Sequence, residues 1–438
     1  MLLQDILERA LRVAQQAEVY YVASVETPVH FEANHLKRME TVESRGVALR
    51  IIKDGRMGFV SSTNLLDIPG LIRRAAEVAA LGVETRMQFP GNADYPEVPV
   101  YDPSVERLES DDLAQLGQQT IDGLRTQHPD ALWDASANRT VTTTSILNSN
   151  GCNFSSTQTL QELSLEGTLI QGTDMLFVYD TIHSGKAFRD TRSLQESLSR
   201  QMEMGRKTVQ PVSGDLPVIF TPRGVSGALL WPLTSALNGR TVVQGTSPLT
   251  GRLGEQVVDQ GFTLWDDPTT PFMPGSGMSD DEGAPSQRLP LIQKGVAANF
   301  LYDVQTAAQA GKRSTSSATR WSLEIAPLPS ASVTLVEPGN TTFDAMVKDI
   351  KRGIIVESML GAGQSNVLAG DFSGNVLLGY RVEDGKIIGR VKDTVVSGNV
   401  YKVLNNLAAI GNEPRWVWGR LSTPPLYCKS VSVAANQA

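Results

Sequence analysis

Residues 44–62 read SRGVALRIIKDGRMGFVSS and carry the clearest fold signal in the chain. Apolar residues alternate along the first arm of this stretch: Val47, Leu49 and Ile51. Asp54-Gly55 follows, and residues 57–60 form a second arm. Alternation predicts a strand with one buried face, and Asp-Gly predicts a tight turn because glycine tolerates a positive φ. The stretch therefore predicts an antiparallel hairpin.

Helix and strand patterns surround this hairpin in the N-terminal half. Helices are predicted at four places: residues 1–18, 65–81, 110–128 and 190–207. Strands are predicted at 18–26, at 29–33 and along the Thr- and Ser-rich stretch 131–177, which turns at Asn150-Gly151. Gly82 is placed to end the second helix, since glycine is the preferred residue after a helix C-terminus.

A lobe boundary is predicted near Val212-Ser213-Gly214-Asp215, which gives lobes of residues 1–212 and 213–438. In the second half, the sequence predicts a strand at residues 216–220 and a helix at 224–237. A Gly- and Pro-rich stretch follows at 238–290, and a hairpin is predicted at 376–391. Helices mixed with antiparallel strands indicate an α+β fold. We expect an N-terminal α/β lobe with a mixed sheet and a C-terminal lobe rich in antiparallel strands.

Composition narrows the classes of function. The chain has 438 residues, 41% of them hydrophobic, and a net charge of −8. A packed globular protein is expected, and the missing Lys/Arg runs argue against direct nucleic-acid binding. No apolar run is long enough for a signal peptide or a membrane span. Two distant cysteines, Cys152 and Cys428, favour a reducing compartment, so we expect a cytoplasmic protein with two inert thiols.

Catalytic motifs are incomplete along the whole sequence. Only four histidines occur, and His30 and His35 point to opposite faces of an extended segment, because their five-residue separation is odd. No Gly-x-Ser-x-Gly elbow is present, and Gly361-Ala362-Gly363 lacks the Lys-Ser/Thr of a phosphate loop. The residues alone therefore predict no complete catalytic set.

An acidic loop, Asp280-Asp281-Glu282-Gly283, leaves two interpretations open. Its oxygens suit a divalent cation, while carboxylates in such a turn also accept hydrogen bonds from nearby backbone N–H groups. Together with the stretch 238–290, the residues Asp281, Glu282 and Gly283 are our candidates for a peptide groove or a subunit contact. A plain surface connection is the alternative.

Ten short segments, in this order and spacing, resemble the TldD/PmbA family (modulator of DNA gyrase). They are ESRGVALR (43–50), DGRMGFVSS (54–62), NSNG (148–151), GRLGE (251–255), DDEGAP (280–285), LIQKGV (291–296), STSSATR (314–320), GDFSG (370–374), SGNV (397–400) and IGNE (410–413). Each segment alone is weak evidence for the family, but together the segments extend over nearly the whole chain. The chain is therefore identified as a member of that family.

This resemblance implies that a zinc site has been lost. The TldD type carries His-Glu-x-x-x-His on the helix that opens the C-terminal lobe, and a Cys nearer the C-terminus. At the matching positions this chain has Trp231, Pro232 and Ala236. Cys428 lies too far beyond Gly411-Asn412 for the role of the third ligand to be carried over. The resemblance is to the TldE/PmbA type, which has no metal site, so we expect no cofactor here and zinc in a TldD-type partner.

The family relationship implies a TldD–TldE heterodimer that degrades or processes unfolded peptides, such as leader peptides and an antitoxin. This chain would be the non-catalytic subunit and would hold extended peptide by strand addition. Two alternatives remain open. One is a homodimer that binds peptides or a client protein without cleaving them. The other is an enzyme that uses Asp281 and Glu282 with a bound cation.

Overall fold

A seven-stranded sheet and five helices make up the N-terminal part of the computed structural model, which describes residues 2–435. The strands are β1 (Gln16–Glu32), β2 (His35–Met39), β3 (Val42–Lys53), β4 (Arg56–Ser62), β5 (Leu132–Asn148), β6 (Asn153–Gln171) and β7 (Asp174–Ser184). The helices are α1 (Leu2–Ala10), α2 (Ile68–Leu81), α3 (Pro103–Glu106), α4 (Ser110–Gln127) and α5 (Arg192–Gly205). The strand order is β4-β3-β1-β5-β6-β7, and β2 pairs with β1.

Strands β3 and β4 form the hairpin that the alternating residues predict. Lys53 pairs with Arg56, and the turn residues Asp54 and Gly55 have φ of 51° and 73°. These positive angles suit a tight two-residue turn, which explains the Asp-Gly sequence. Helix α2 packs its apolar face on this hairpin and ends before Gly82.

Every pairing in the N-terminal sheet is antiparallel, which corrects the expected mixed sheet. Most of its strands follow one another through short turns, and short turns can join only antiparallel neighbours. The predicted strands at 18–26 and 29–33 are one long strand, β1. The turn at Asn150-Gly151 joins β5 to β6 as predicted.

Three sheets form the C-terminal part. Their strands are β8 (Gly214–Phe220), β9 (Leu264–Asp266), β10 (Leu289–Gln293), β11 (Val296–Ala297), β12 (Ala318–Thr319), β13 (Leu328–Pro329), β14 (Thr334–Val336), β15 (Arg352–Leu360), β16 (Asp371–Glu383), β17 (Lys386–Arg390), β18 (Thr394–Asn399), β19 (Leu407–Ile410), β20 (Arg415–Val417), β21 (Leu421–Thr423) and β22 (Leu426–Ala435). Most pairings are antiparallel, as expected, but β8 pairs with β15 and β14 with β21 in parallel.

The largest C-terminal sheet closes on itself. Its order is β15-β8-β22-β18-β16-β17, and β15 also pairs with β16, so five strands form a closed ring. The second sheet has the order β11-β10-β9-β14-β21-β20, and β12 and β13 form a small third sheet. The helices are α6 (Pro222–Val225), α7 (Trp231–Leu237), α8 (Gly239–Val243), α9 (Val304–Ala310), α10 (Phe343–Asp349) and α11 (Val400–Leu404).

One hydrophobic cluster crosses between the two halves of the chain. It joins Trp133 and Leu198 of the first half to Ile355, Tyr380 and Tyr427 of the second. A second cluster lies within the C-terminal part, and a third lies beneath the β3–β4 hairpin. The α+β class and the two-lobe arrangement are therefore confirmed, and the lobes share a packed interior. The boundary at residue 212 stays a prediction.

Candidate functional site

The helical segment after β8 contains the residues that the sequence singles out. Thr221 precedes α6 and accepts a hydrogen bond from the Gly224 backbone N–H. A Cβ added at Gly224 would meet the Val356 carbonyl oxygen at 2.3 Å, so glycine lets the helix pack directly on β15. A single π-helical turn, Ser226–Leu230, joins α6 to α7. Such turns are frequent at functional sites.

Helix α7 presents no zinc ligand at the three positions in question. Trp231 is 58% exposed, Pro232 is buried and Ala236 is fully buried. An indole N–H can only donate a hydrogen bond, and neither proline nor alanine has a side-chain donor atom for a metal. Cys428 is buried in β22, where burial raises the pKa of its thiol. The residues at these positions therefore do not fit a zinc ion.

The acidic loop lies in the interior, not on an open groove. Asp280 accepts backbone N–H groups from Glu282, Ala284 and Ala318 at 2.9–3.1 Å. Asp281 accepts the Arg320 backbone N–H at 2.7 Å. Glu282 and Gly283 are buried. The carboxylates thus hold a turn, and this placement argues against the groove or subunit contact suggested for Asp281, Glu282 and Gly283.

A buried ion network connects this loop to the N-terminal sheet. Arg50 donates to both carboxylate oxygens of Glu18, at 2.7 and 3.0 Å, and to Glu282 at 2.6 Å. Arg320 donates to Glu18 at 2.6 Å. The second Glu282 oxygen accepts the Val304 backbone N–H at 2.8 Å. Within these four side chains, two arginines face two glutamates and the charges balance.

Burial and charge act in opposite directions on this network. Burial raises the pKa of Glu282, and Arg50 opposes that increase. Burial would lower the pKa of Arg50, but Glu18 and Glu282 raise it above its ordinary value. Arg50 therefore stays protonated and donates to Glu282 at 2.6 Å. The network fixes the acidic loop against strands β1 and β3.

A cavity of about 410 Å³ lies where the two halves of the chain meet. Its walls come from α5, β7, the start of α6, β15, β16, the start of α10, and the loop that contains Gly411-Asn412 together with β20. Seven charged residues line it: Asp180, Arg200, Arg223, Asp344, Glu357, Glu413 and Arg415. Sequence reasoning missed this cavity. The one signal was Glu357, a charged residue inside the apolar run of β15.

The histidines do not gather into a metal site. Within residues 2–435 no three His, Cys, Asp or Glu side chains are grouped as metal ligands. His30 and His35 lie on β1 and β2, on either side of the turn at Ala33 and Asn34. His183 contacts Glu162 at 3.1 Å, and this contact lowers the pKa of Glu162 although burial acts to raise it.

Comparison with known families identifies the chain. The model described as PmbA/TldA metallopeptidase C-terminal domain matches residues 213–435, and domain 1 of the same family matches residues 17–79. The chain belongs to the PmbA/TldD family. No helix within the described residues of this PmbA/TldD protein is long and apolar enough to cross a membrane.

Two relatives match this PmbA/TldD protein along most of their length. An uncharacterised protein of Methanocaldococcus jannaschii is 23% identical, covering 97% of this chain and 98% of the relative. A metalloprotease of Methanothermobacter thermautotrophicus is 26% identical, covering 94% and 91%. The crystal structure of TldE from Thermococcus kodakarensis has the same fold, with a TM-score of 0.90 and 22% identity over 99% of this chain and 100% of that chain.

Proposed function

We propose that this chain is the non-catalytic TldE/PmbA-like subunit of a cytoplasmic TldD/TldE-type zinc peptidase that degrades or processes unfolded peptides. The observation that carries the proposal is helix α7, in which Trp231, Pro232 and Ala236 offer no metal ligand and no carboxylate. A zinc peptidase needs ligands for the ion and a group that activates water. Zinc and catalysis then belong to a TldD-type partner.

The partner would use this chain as part of the peptide-binding wall. An extended, unfolded segment can add to an exposed sheet edge through backbone hydrogen bonds, which need little sequence preference. Strands β4 and β7 end the N-terminal sheet. At Tyr179 of β7 the backbone N–H and carbonyl are both occupied by the Gln201 side chain. The edge of β4 is partly covered as well, because the Met57 N–H donates to the Val83 carbonyl at 3.1 Å, and β2, which pairs only with β1, leaves a further edge.

Reconstitution tests the proposal directly. The purified chain is mixed with a TldD-type partner, zinc and an unfolded peptide, and cleavage is followed by mass spectrometry. We expect cleavage to depend on both chains and on the partner's zinc. If the partner alone cleaves the peptide equally fast, the proposed role is wrong. Zinc bound stoichiometrically to this chain after dialysis, or peptide cleavage by this chain alone, would also contradict it.

A homodimer that binds peptides without cutting them is the second candidate. Several large apolar side chains are exposed, including Trp231, Trp321, Leu360 and Trp418. Exposed apolar residues of this size suit a protein contact. Purification from the native cell followed by mass determination separates the two candidates. A complex with a TldD-type chain supports the peptidase subunit, and a dimer of this chain alone supports the second.

A further inference from the structure

One edge of the N-terminal sheet has no neighbouring strand. Strands β2 and β3 lie end to end along β1 and keep one register from Arg38 to Ile52. Strand β4 pairs with the outer side of β3 only from Val47 onward. Residues 35–45 are all exposed, and within the described part of the chain no strand except β1 pairs with them. Such an unpaired edge is a template for a strand of another chain.

The backbone of Met39 faces away from β1. The adjacent Glu40 donates its N–H to the Pro28 carbonyl at 3.3 Å, so Glu40 turns its backbone groups toward β1. Hydrogen-bonded and non-hydrogen-bonded pairs alternate along an antiparallel ladder, so Met39 turns its N–H and C=O groups to the outer side. The same holds for every second residue from there to Arg45. The edge therefore offers donors and acceptors to a partner strand.

A bulge shortens the regular part of this edge. Two successive residues of β1 pair with residues two apart in β2, so Lys37 is an extra residue. Bulges and lysines on an edge strand hinder unselective pairing with other chains. A contact at this edge is therefore short, and the neighbouring side chains decide which partner fits.

The side chains next to Met39 complement a second copy of the same strand. Two copies that lie antiparallel about a two-fold axis at Met39 place Arg38 opposite Glu40 twice, once on each side of the axis. Opposite charges directly across an antiparallel pair stabilise it. Within one copy these two side chains contact each other at 3.3 Å and remain 59% and 39% exposed, so they are open to a further partner. The strand is therefore self-complementary at this position.

No neighbouring position of the axis gives this match. The axis must pass through a residue, because outward-facing backbone groups otherwise meet inward-facing ones. At four residues it opposes a charge to itself: Lys37, Arg38, Glu40 and Glu43. At Thr41 it opposes Lys37 to Arg45. At Val42 it opposes no pair of charges. From residue 37 to residue 43, Met39 alone opposes opposite charges without opposing like ones.

We propose that the edge around Met39 joins two copies of this chain about a two-fold axis at that residue. The two N-terminal sheets then continue into each other, and the facing Arg38 and Glu40 side chains fix the register. A two-fold contact uses one surface patch twice, as this strand does. The contact involves copies of this chain alone, and helix α7 takes no part in it, so it does not depend on the subunit role proposed above.

Cysteine trapping in the full chain tests where the axis lies. Met39→Cys brings two thiols opposite each other, and facing Cα atoms of an antiparallel pair, about 5.5 Å apart, are within disulfide range. Thr41→Cys is the matched control, since it is exposed too but its two copies would lie about 13 Å apart along the strands. Cys152 and Cys428 are fully buried and do not compete.

Non-reducing electrophoresis after mild oxidation reports the trapped dimer. We expect Met39→Cys to form it and Thr41→Cys to form at least about tenfold less, because its thiols cannot reach each other. No trapped dimer from Met39→Cys, or equal amounts from both variants, would overturn the proposal.

Charge reversal tests the pairing without any added thiol. Arg38→Glu alone opposes two acids in both rows, Glu40→Arg alone opposes two arginines, and the double variant restores opposite charges. Sedimentation velocity over a concentration series measures the equilibrium between monomer and dimer. We expect each single reversal to weaken the dimer at least about tenfold, because two rows change at once, and the double variant to return to within about threefold of the unaltered protein.

Matched controls reverse an exposed ion pair elsewhere. Arg73→Glu and Glu77→Arg on α2 should leave the equilibrium unchanged. A monomer at all concentrations, association that no reversal alters, or a double variant as weak as the single ones would contradict the proposal. Both experiments omit a TldD-type partner and measure no peptide cleavage, so failure of this contact and failure of the subunit role are distinguishable.

Discussion

Arg50 and Glu282 lie 232 residues apart in sequence and form a 2.6 Å ion pair in the interior. Arg50 is on β3 directly opposite Glu18 of β1, and it bridges that glutamate to the acidic loop. All three side chains are at most 2% exposed. The loop that the sequence suggests as a cation site is thus fixed by an arginine from the other lobe.

Removing Arg50 should destabilise the protein strongly. Arg50→Met leaves Glu282 buried without its arginine and Glu18 with Arg320 alone, and breaking a buried pair from one side costs about 3–5 kcal/mol. The matched control is Arg73→Met, whose exposed pair with Glu77 should be worth about 0–1 kcal/mol. Urea unfolding followed by tryptophan fluorescence measures both. Equal losses of unfolding free energy in the two variants would show that the buried Arg50 pair contributes no more to stability than the exposed Arg73 pair.

Gly283 in the same loop should tolerate no side chain. It has φ of 82°, and an added Cβ would meet the Cys152 sulfur at 2.6 Å. Gly254 is the control, since it has φ of 85° and open space around the Cβ position. Gly254→Ala should cost about 1–2 kcal/mol for the left-handed backbone. Gly283→Ala should cost a further 1–3 kcal/mol, roughly, for overpacking. The unfolding free energy of both variants is measured with denaturant. Equal losses in Gly254→Ala and Gly283→Ala would contradict the close contact between Gly283 and Cys152.

Local signals in the sequence were sufficient for the hairpins. Asp54-Gly55 and Asp384-Gly385 sit at turns with positive φ, inside the hairpins that are predicted over residues 44–62 and 376–391. The parallel pairing of β8 with β15 was not predictable in this way. It joins Val218 to Ile354, and no turn signal connects strands so far apart in sequence.

The candidate site was predicted only in part. The family resemblance directed attention to Trp231, Pro232 and Ala236, and their side-chain chemistry then showed that no metal ligand stands at these positions. The acidic loop could not be interpreted without Arg50 and Arg320, which fold against it from distant segments. The inter-lobe cavity depends on the packing of α5 against β15 and β16, and sequence periodicity contains no information on such packing.

Asp266 should make the protein less stable as pH rises. Its carboxylate accepts backbone N–H groups from Ser332 and Val333, yet burial raises its pKa from 3.8 to about 7. The folded state therefore keeps a proton that the unfolded state releases, so stability falls between pH 4 and pH 7. Asp266→Asn keeps the Oδ1 acceptor and removes the titration.

The measurement for Asp266 is the difference in unfolding free energy between variant and unaltered protein at several pH values. Relative to the unaltered protein, we expect the unfolding free energy of the variant to rise by on the order of 2–4 kcal/mol from pH 4 to pH 7. Above pH 8 this difference should not change further. A difference that stays constant across this range would show that the Asp266 pKa is not raised.

The two thiols should be inert in the folded protein. Cys152 and Cys428 are both fully buried, and burial raises the pKa of each, so little thiolate is present at neutral pH. Ellman's reagent should react at least roughly a hundredfold more slowly with folded than with unfolded protein. Fast reaction of one thiol without denaturant would indicate that its surroundings open readily.

Ala236 shows why the missing zinc motif cannot be restored one residue at a time. It is fully buried against the C-terminal core, while Trp231 on the same helix is 58% exposed. Ala236→His forces an imidazole into packed space and should cost about 1–3 kcal/mol or more. Trp231→His changes an exposed position and should stay within about 0.5 kcal/mol. Thermal unfolding compares the two, and elemental analysis reports zinc. Because the buried position resists histidine, we expect the double variant to unfold at lower temperature and to hold no stoichiometric zinc; a stable double variant with one bound zinc would show that α7 has room for a metal site.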